Sequence, residues 1–358
     1  MSNADAQAGQ TTVPTLYAFE FRGTGKEYFR IWIVNLALTI LTLGIFSAWA
    51  KVRTRRYFNG NTFVADHAFE YHASAWRILI GRIIAASLLI GYQLSILIKP
   101  IYTLPWLVIL GFAFPWLVNA SLRFNARNTS YRNVRFNFTG DYFEALVAYV
   151  IWPLAGFGTL FLLMPAARRA RDYFWVNHHT FGGRPFRTEF SNKRIYAIFV
   201  LGFALFIAIG ILTGVAFALA MKYWPIDVSH HGKFNPFPPA VIAMWVVAYV
   251  GFLFVIPAIE TMIVNLALKN TKLDERHKLK SRMNPVVVAW ITVSNAVLTL
   301  LTIGMFYPWA RVRLTRYETR KLSILVDGDI DAYTTEAFAT QSAVGEEIGS
   351  VFAFDFGL

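Results

Sequence analysis

NLALTILTLGIFSAWAKVRTRRY at residues 35–57 and NAVLTLLTIGMFYPWARVRLTRY at residues 295–317 are nearly the same sequence, and they decide how this chain is interpreted. Aligned at an offset of 260 positions, they are identical at 13 of 23 residues. Each is an apolar run of about twenty residues that ends in a group of arginines, and that length suits a helix crossing a bilayer. The pair therefore predicts a membrane protein with internal repeats.

The composition of the 358-residue chain also favours a membrane protein. It is 56% hydrophobic and only 15% charged, whereas soluble domains carry roughly 25% charged residues. The formal charge of +13 comes from short basic runs beside apolar segments, which is typical of anchoring at a membrane surface and does not indicate nucleic-acid binding. Since the chain has no cysteine, disulfides, thiolate metal sites and catalytic thiols are excluded.

Seven stretches approach or exceed the length of a membrane span, at residues 29–50, 78–98, 101–122, 142–167, 195–221, 240–268 and 286–310. We predict an all-α polytopic membrane protein with internal repeats, in which some of these helical segments are broken or re-entrant. Residues 1–28 would form an N-terminal cytoplasmic segment, and residues 29–321 would form the repeated transmembrane domain. Residues 322–358 would form an acidic cytoplasmic tail, mobile or loosely docked on a basic surface.

Short aromatic motifs precede several apolar runs, at Phe19-Glu20-Phe21, Phe69-Glu70-Tyr71 and Phe136-Asn137-Phe138. Aromatic residues two positions apart suggest a strand with one apolar face. Small extended segments would then pair into a sheet on the cytoplasmic face, under the helices. Alternatively, these rings lie at the level of the lipid headgroups.

The chain resembles the YjgN family of bacterial inner-membrane proteins in four segments. They are EFRGTGKEYFRIWIVN at 20–35, LTLGIFSAWAKVRTRRYF at 41–58, LTIGMFYPWARVRLTRY at 301–317 and FDFGL at 354–358. The resemblance covers essentially the whole chain. It implies a multi-pass inner-membrane protein of uncharacterised function, and it carries no catalytic residues.

Three arrangements of the apolar runs distribute the 34 Lys and Arg residues differently. Seven simple spans would divide them 17 to 17, without the cytoplasmic excess of inner-membrane proteins. If the first, fourth and seventh runs enter and leave on one face, the division is 31 to 3, with Lys99, Lys222 and Lys233 opposite. Inverted repeats would explain an even division. We favour the same-face arrangement, because moving arginines across a bilayer costs more than breaking a glycine-containing helix.

Each of those three runs contains a place where it can break: Thr42-Leu43-Gly44, Gly156-Phe157-Gly158-Thr159 and Thr302-Ile303-Gly304. Glycine is conformationally free, and threonine can bond the backbone groups that a break leaves unpaired. The candidate hinges are therefore Gly44, Gly156, Gly158 and Gly304.

Six polar residues inside the apolar runs form a candidate intramembrane site. Arg82 and Glu260 are predicted to pair in a polar cavity between the two helical hairpins, because intramembrane ionisable groups are costly and often functional. Alternatively, the Arg82 side chain only extends to the interface between membrane and water. The other four lie at matching positions in the first and seventh runs: Asn35, Asn295, Thr39 and Thr299. They would coordinate an ion or solute, or else form hydrogen bonds to neighbouring helices.

Nine arginines beside the tryptophans form basic groups: Arg53, Arg55, Arg56, Arg168, Arg169, Arg171, Arg311, Arg313 and Arg316. They are expected to anchor the cytoplasmic side, and a sharper hypothesis is that they bind anionic phospholipid headgroups. The pairs His178-His179 and His230-His231 have no carboxylate cluster beside them, so no metal site is predicted. We also expect no enzymatic activity and no cofactor, since no catalytic arrangement is recognisable.

Two functions remain open from the sequence. A transporter or channel-like protein for an unknown solute would have a continuous polar pathway lined by Asn35, Asn295 and Glu260. A protein that binds anionic lipid or scaffolds an envelope assembly would instead have a lateral cleft with apolar walls that ends at the arginines.

Overall fold

Ten short strands form a closed antiparallel barrel within residues 14–223 and 239–348, the part of the chain that this computed structural model describes. Each strand is hydrogen-bonded to two neighbours, and the first strand pairs with the last. The strands are β1 (Thr15–Phe21), β2 (Thr62–Val64), β3 (His67–Tyr71), β4 (Thr129–Tyr131), β5 (Val134–Phe138), β6 (His179–Phe181), β7 (Arg184–Thr188), β8 (Thr271–Leu273), β9 (His277–Ser281) and β10 (Leu322–Val326).

Helices connect these strands in pairs, and one further helix follows the last strand. A 3₁₀ turn (Pro100–Tyr102) joins α3 to α4, and a π-helical turn (Val147–Ile151) joins α5 to α6. The helices are α1 (Gly25–Leu41), α2 (Ser47–Gly60), α3 (Ala75–Ile98), α4 (Thr103–Arg127), α5 (Tyr142–Leu146), α6 (Trp152–Gly158), α7 (Met164–Asn177), α8 (Asn192–Tyr223), α9 (Pro239–Lys269), α10 (Pro285–Leu301), α11 (Tyr307–Arg320) and α12 (Ile330–Ile348).

The order strand, helical pair, strand occurs five times along the described residues. In each case the end of the first strand pairs with the start of the second, as Phe21 does with Thr62 and Phe138 with His179. Each helical pair therefore begins and ends at the same rim of the barrel. The tight strand turns lie at the opposite rim.

Two helical pairs are long and three are short. Four helices are long and apolar enough to cross a membrane, among the residues that were described: Ala75–Ile98, Pro100–Arg127, Asn192–Tyr223 and Met244–Lys269. The 14 residues of α2 extend only about 21 Å at 1.5 Å per residue, less than the roughly 30 Å of the hydrocarbon core. Because the described residues form a closed ten-strand barrel and only four of their helices could cross a membrane, the prediction of an all-α polytopic fold with up to seven hydrophobic helical segments is wrong.

The first, fourth and seventh apolar runs each reverse direction near their middle. In the same-face arrangement, each of these runs has to enter and leave on one face. In the first turn, the Thr42 hydroxyl donates to the Leu38 carbonyl oxygen (2.7 Å) and accepts from the Phe46 N–H (2.9 Å). Thr159 and Thr302 make the same two kinds of bond. Because hydrocarbon offers no water to backbone groups, these bonds allow a turn to lie at membrane depth.

The candidate hinge glycines occupy two different settings. Gly44 and Gly304 lie in the turns with φ of +93° and +87°. Gly156 and Gly158 lie within α6, and the third turn instead holds Phe161 at φ +70°. All three turns therefore contain a residue at positive φ, and in one of them that residue is Phe161 and not glycine.

Gly44→Ala is expected to lower the free energy of unfolding by about 1–2 kcal/mol, the cost of a left-handed residue with a Cβ. No atom lies within 4 Å of the added Cβ, so strain is its only direct effect. Phe161→Gly should raise stability, because it relieves the same strain. Unfolding temperatures in detergent micelles measure both effects. Gly60→Ala, which also adds a Cβ in open space but at an ordinary φ, is the control and should change little.

Two tiers of apolar side chains fill the barrel. The rings of Phe19, Phe69, Phe136 and Phe186 point inward from alternate strands, with 6.3 Å between the centres of each consecutive pair. Leu279 completes this tier. The second tier comes from the intervening strands: Val64, Tyr131, Phe181, Leu273 and Val326. The aromatic motifs thus supply the barrel core.

Helix α12 covers the barrel rim where the strand turns lie. Its Ala337 is completely buried, Asp331 pairs with Arg132, and Glu336 lies 2.6 Å from Arg184 Nη2. Acidic residues of the predicted tail thus pair with arginines of the barrel. The alternating sequence Phe352-Ala353-Phe354-Asp355-Phe356 also predicts a strand, but it falls outside the described residues.

Candidate functional site: a basic pocket inside the helical ring

The helical pairs form a closed ring above the barrel. Contacts of α2 with α3, α4 with α5, α7 with α8, α9 with α10 and α11 with α1 join neighbouring pairs. In a closed ring, two helices that have one helix between them are separated by that helix on the outer side of the ring. Their side chains can therefore meet only on the inner side.

Three contacts skip one helix of the ring in this way: Arg55 of α2 with Asn125 of α4, Arg168 of α7 with Glu260 of α9, and Arg311 of α11 with Phe58 of α2. Arg168 Nη1 lies 2.7 Å from Glu260 Oε1, and the guanidinium carbon of Arg311 lies 5.5 Å from the centre of the Phe58 ring. All three arginines therefore face the inside of the ring.

The inward-facing charges occupy equivalent positions along the chain. Each lies eleven residues before the strand that follows: Lys51 before Thr62, Arg168 before His179, Glu260 before Thr271 and Arg311 before Leu322. The corresponding residue of α4 is Val118. Since equivalent positions lie at similar heights above the barrel rim, one level of the ring's inner side carries three cations and one carboxylate.

A pocket of about 650 Å³, which we call the axial pocket, lies between α1, α2 and α11 at this level. Lys51, Arg55 and Arg311 line it together with Asn35. Asn35 is only 4% exposed, and neither polar atom of its carboxamide has a partner among the described residues. A buried polar group without a partner costs about 1–3 kcal/mol. The three cations therefore supply the positive charge of the pocket, and Asn35 is a buried polar residue beside them.

Burial and the nearby charges of Arg55 and Arg82 lower the pKa of Lys51 to about 8. Helix α2 is not one of the four candidate spans. The ammonium group is consequently charged at neutral pH and loses its proton in mildly alkaline solution.

Arg82 and Glu260, which the sequence predicts to pair, have different partners. Arg82 donates to the hydroxyl of Ser47, a residue that lines the axial pocket. Glu260 accepts from Arg168, whose Nε lies 3.0 Å from the Asp172 carboxylate. The prediction of an Arg82–Glu260 pair is therefore wrong, because an arginine outside the apolar spans reaches the carboxylate.

The other predicted polar residues are partly brought together. Asn35, Thr39 and Thr299 all line the axial pocket. Asn295 instead joins α10 to α11, because its amide donates to the Ala310 carbonyl oxygen at 3.0 Å and its oxygen accepts from an arginine. The two matching asparagines thus differ, and only Asn35 keeps unpartnered atoms.

The nine arginines predicted to contact lipid headgroups have three different roles. Arg55, Arg168 and Arg311 face inward. Arg56, Arg169 and Arg316 donate to backbone carbonyl oxygens of adjacent segments. The remaining three are at least partly exposed: Arg53, Arg171 and Arg313. Of these, Arg313 Nη1 lies 2.9 Å from Ser294 Oγ.

The adjacent histidines His178 and His179 have different partners. His178 Nε2 lies 2.9 Å from Glu144, whereas His179 bonds the carbonyl oxygen of Trp175. His230-His231 falls outside the described residues. Lys51 and Asp172 were not predicted. The position of Lys51, eleven residues before the following strand, is visible in the sequence once the strands are known.

Residues 16–351 match the family described as bacterial proteins of unknown function, DUF898. The chain belongs to this family. Two curated relatives are each named inner membrane protein YjgN. The Escherichia coli O157:H7 protein is 26% identical over 216 residues, which cover 58% of this chain and 48% of that protein. The Salmonella typhimurium protein is 23% identical over 362 residues, covering 87% and 89%.

The chain thus spans about half the length of the E. coli relatives it matches, and the resemblance to the YjgN family is confirmed. No solved structure matches the chain. The names of the relatives and the four long apolar helices support a location in the inner membrane. DUF898 is defined without a function, so the function of this member is argued from its site.

Proposed function

We propose that this protein is a transporter or channel-like protein that binds small anions in the axial pocket. The observation that carries the proposal is the set of equivalent inward-facing cations Lys51, Arg168 and Arg311. Arg168 is compensated by Glu260 and Asp172, whereas the three cations of the axial pocket have no carboxylate among its lining residues. The pocket therefore has an excess of positive charge.

The side chains of the axial pocket favour binding of an anion. Charge-assisted hydrogen bonds from arginine and lysine are stronger than neutral ones, particularly where the local dielectric constant is low. Arg55 is hydrogen-bonded to Asn125 and lines the pocket together with Lys51. A membrane protein that fixes such groups inside a ring of helices has the elements of a selective anion site.

The orientation belongs to the same proposal. Lys99 and Lys222 lie at the tips of the long pairs, and the arginine groups lie at the barrel end. By the positive-inside rule, we infer that the barrel and α12 face the cytoplasm. Because the chain has no native cysteine, single cysteines at Lys99 and Thr340 can be labelled from either side. Labelling of both from the same side would contradict the inference.

Anion uptake into proteoliposomes tests the function, with chloride, phosphate and acetate as separate labelled solutes. At least one should enter faster than into protein-free liposomes. Lys51→Ala combined with Arg311→Ala should reduce that uptake about tenfold or more, since a bond to a charged group contributes about 1.5–3 kcal/mol. Arg53→Ala is the control, because Arg53 is an exposed cation on the same helix as Lys51. Absence of uptake for all three anions, or equal uptake by the double variant, would overturn the proposal.

Uptake is also expected to depend on pH. Since the pKa of Lys51 is lowered to about 8, the residue is charged below that pH and neutral above it. Uptake should fall as the pH is raised from 7 to 9. In Lys51→Arg the fall should disappear, because a guanidinium keeps its proton throughout this range. A fall of the same size in both proteins would exclude Lys51 as its cause.

Binding of an anionic phospholipid is a second candidate, favoured by a cleft of about 570 Å³ beside α10 and α11. Ile291, Phe306 and Val312 form apolar walls, and the cleft also contains four cations: Arg313, Arg316, Arg320 and Lys321. Arg320→Gln should then reduce the amount of phosphatidylglycerol that remains bound after purification, without changing anion uptake. An unchanged lipid content would reject this candidate.

A further inference from the structure

The axial pocket adjoins a second space, of about 780 Å³, which we call the apolar groove. The groove lies along α10 and the turn that follows it. Three residues line both spaces: Thr299, Gly304 and Tyr307. A molecule held in the axial pocket can therefore extend into the apolar groove. The other residues that line the groove are Thr292, Asn295, Ala296, Leu300 and Ile303.

The surface of the apolar groove is mainly hydrocarbon. Leu300 is 81% exposed, and Ile303 is 93% exposed. Two of its polar side chains are bonded within the protein, because Thr292 donates to the Val288 carbonyl oxygen at 2.8 Å and Asn295 bonds α11. The groove therefore suits a hydrocarbon chain, whose removal from water is favourable.

The upper end of the groove lies at the turn of a short helical pair. All three of these turns carry a strongly exposed apolar residue, namely Leu43 (94%), Leu160 (88%) and Ile303 (93%). The 17 residues of α10 extend about 26 Å from the barrel rim, less than the roughly 30 Å of the hydrocarbon core. These turns therefore suit the interior of the bilayer, and a lipid-soluble molecule can reach the groove from the side.

The cations of the axial pocket lie one to two helical turns closer to the barrel than this apolar level. Lys51 and Arg311 are each four residues past the first residue of their helix, Ser47 and Tyr307 respectively, which corresponds to about 6 Å. Arg55 is one further turn along α2. Positive charge and an apolar surface thus adjoin each other, and this arrangement complements an anionic head attached to a hydrocarbon chain.

We propose that the axial pocket and the apolar groove together bind an amphiphilic anion with a single hydrocarbon chain, such as a medium-chain carboxylate. The head contacts Lys51, Arg55 and Arg311, and the chain lies along α10. This assignment of a substrate class rests on the proposed function, because it uses the same cations. The cleft considered above for phospholipid is a different place, since it shares no lining residue with the pocket or the groove.

Equilibrium binding of labelled octanoate, acetate and 1-octanol tests the proposal, with the full chain in phosphatidylcholine nanodiscs. Protein-free nanodiscs correct for partitioning into lipid. Octanoate should bind about a hundredfold or more tightly than acetate, because burial of each methylene group adds affinity. It should also bind about tenfold more tightly than 1-octanol, because only octanoate has a charged head. Lys51→Ala combined with Arg311→Ala should remove the preference over 1-octanol and leave binding of 1-octanol nearly unchanged.

Ala296→Phe tests the position of the chain, because Ala296 is an exposed residue that lines the groove. The added ring should fill the groove and weaken octanoate binding about tenfold or more, since several methylene groups lose their contacts. Acetate binding should be nearly unchanged. Val297→Phe is the matched control, because Val297 is an exposed neighbour on the same helix that does not line the groove. It should change neither affinity.

The possible outcomes separate this proposal from anion transport. The amphiphile is overturned if octanoate binds no more tightly than acetate, even when acetate uptake depends on Lys51 and Arg311. It is also overturned if the variants of Ala296 and Val297 have equal effects. Octanoate binding that requires the two cations, without uptake of any small anion, would overturn transport alone. Circular dichroism checks the fold of Ala296→Phe, and if this variant does not fold, the comparison of the three probes in the wild-type protein decides.

Discussion

Gly182→Ala is expected to release helix α12 from the barrel. A Cβ at Gly182 would lie 2.6 Å from Ala337 Cβ and 3.0 Å from both the Ala337 carbonyl oxygen and Val134 Cγ1. Two of these atoms belong to α12, and one is backbone, so the helix must move away. Overpacking of this kind costs about 1–3 kcal/mol, which exceeds what the partly exposed ion pairs of α12 provide.

Hydrogen exchange of the α12 backbone measures this effect. Protection of residues 330–341 should fall about tenfold or more in Gly182→Ala, since each 1.4 kcal/mol corresponds to a factor of ten. Gly183→Ala is the matched control, because its φ of +83° is also positive but its nearest neighbour is 3.9 Å away. Other strand turns hold ordinary residues at positive φ, for example Ala65 and Asp66. Equal loss of protection in both variants would show that backbone strain, and not contact with α12, is responsible.

Arg168→Met should destabilise the protein by about 3 kcal/mol at pH 8, because it removes the guanidinium that bonds both oxygens of the buried Asp172 carboxylate. The side chains of Arg168 and Asp172 are only 14% and 15% exposed, whereas that of Glu260 is 52% exposed. After Arg168→Met, Asp172 keeps only the more distant Arg171, whose Nε lies 3.9 Å away. Glu260→Gln is expected to cost much less, because Glu260 is the exposed partner. The unfolding temperature in detergent should fall by several degrees in the first variant and little in the second.

The pH dependence of the Arg168→Met variant provides a further check. Burial already raises the pKa of Asp172, and loss of the adjacent guanidinium raises it further. A carboxyl whose folded-state pKa is raised is protonated first as the pH falls, so the destabilisation should shrink between pH 8 and pH 5. Adding Asp172→Asn should restore most of the lost stability at pH 8. If the double variant is as unstable as the single one, lost packing explains the effect.

The turns of the short helical pairs could be predicted from the sequence because their cause is local. In two of these turns, a threonine bonds the backbone on both sides of the turn and a glycine follows two residues later. These residues are Thr42 with Gly44 and Thr302 with Gly304. The aromatic motifs such as Phe19-Glu20-Phe21 likewise indicate strands through alternation alone.

Closure of the barrel could not be predicted in the same way. Strands such as Thr62–Val64 have three residues and no distinct pattern, and long helical segments separate one strand pair from the next. Their pairing depends on contacts distant in sequence, which apolar runs do not encode. The long runs dominated the composition, and this led to an incorrect all-α prediction.

The candidate site was partly predictable for a related reason. Asn35 and Thr39 are noticeable as polar residues in an apolar run, and they do line the axial pocket. Lys51 lies in a basic segment where a surface role is the ordinary expectation. Its inward direction follows from its distance to strand β2, which only the fold reveals.

The pairing of Thr15 with Val326 joins the first strand to the last, and this affects biogenesis. Residues 322–326 are synthesised after every helical pair, so a ribosome-bound intermediate carries an unsealed sheet whose edges can pair with other chains. We therefore expect truncations before residue 322 to accumulate as aggregates or protease substrates even when their hydrophobic segments are correctly inserted.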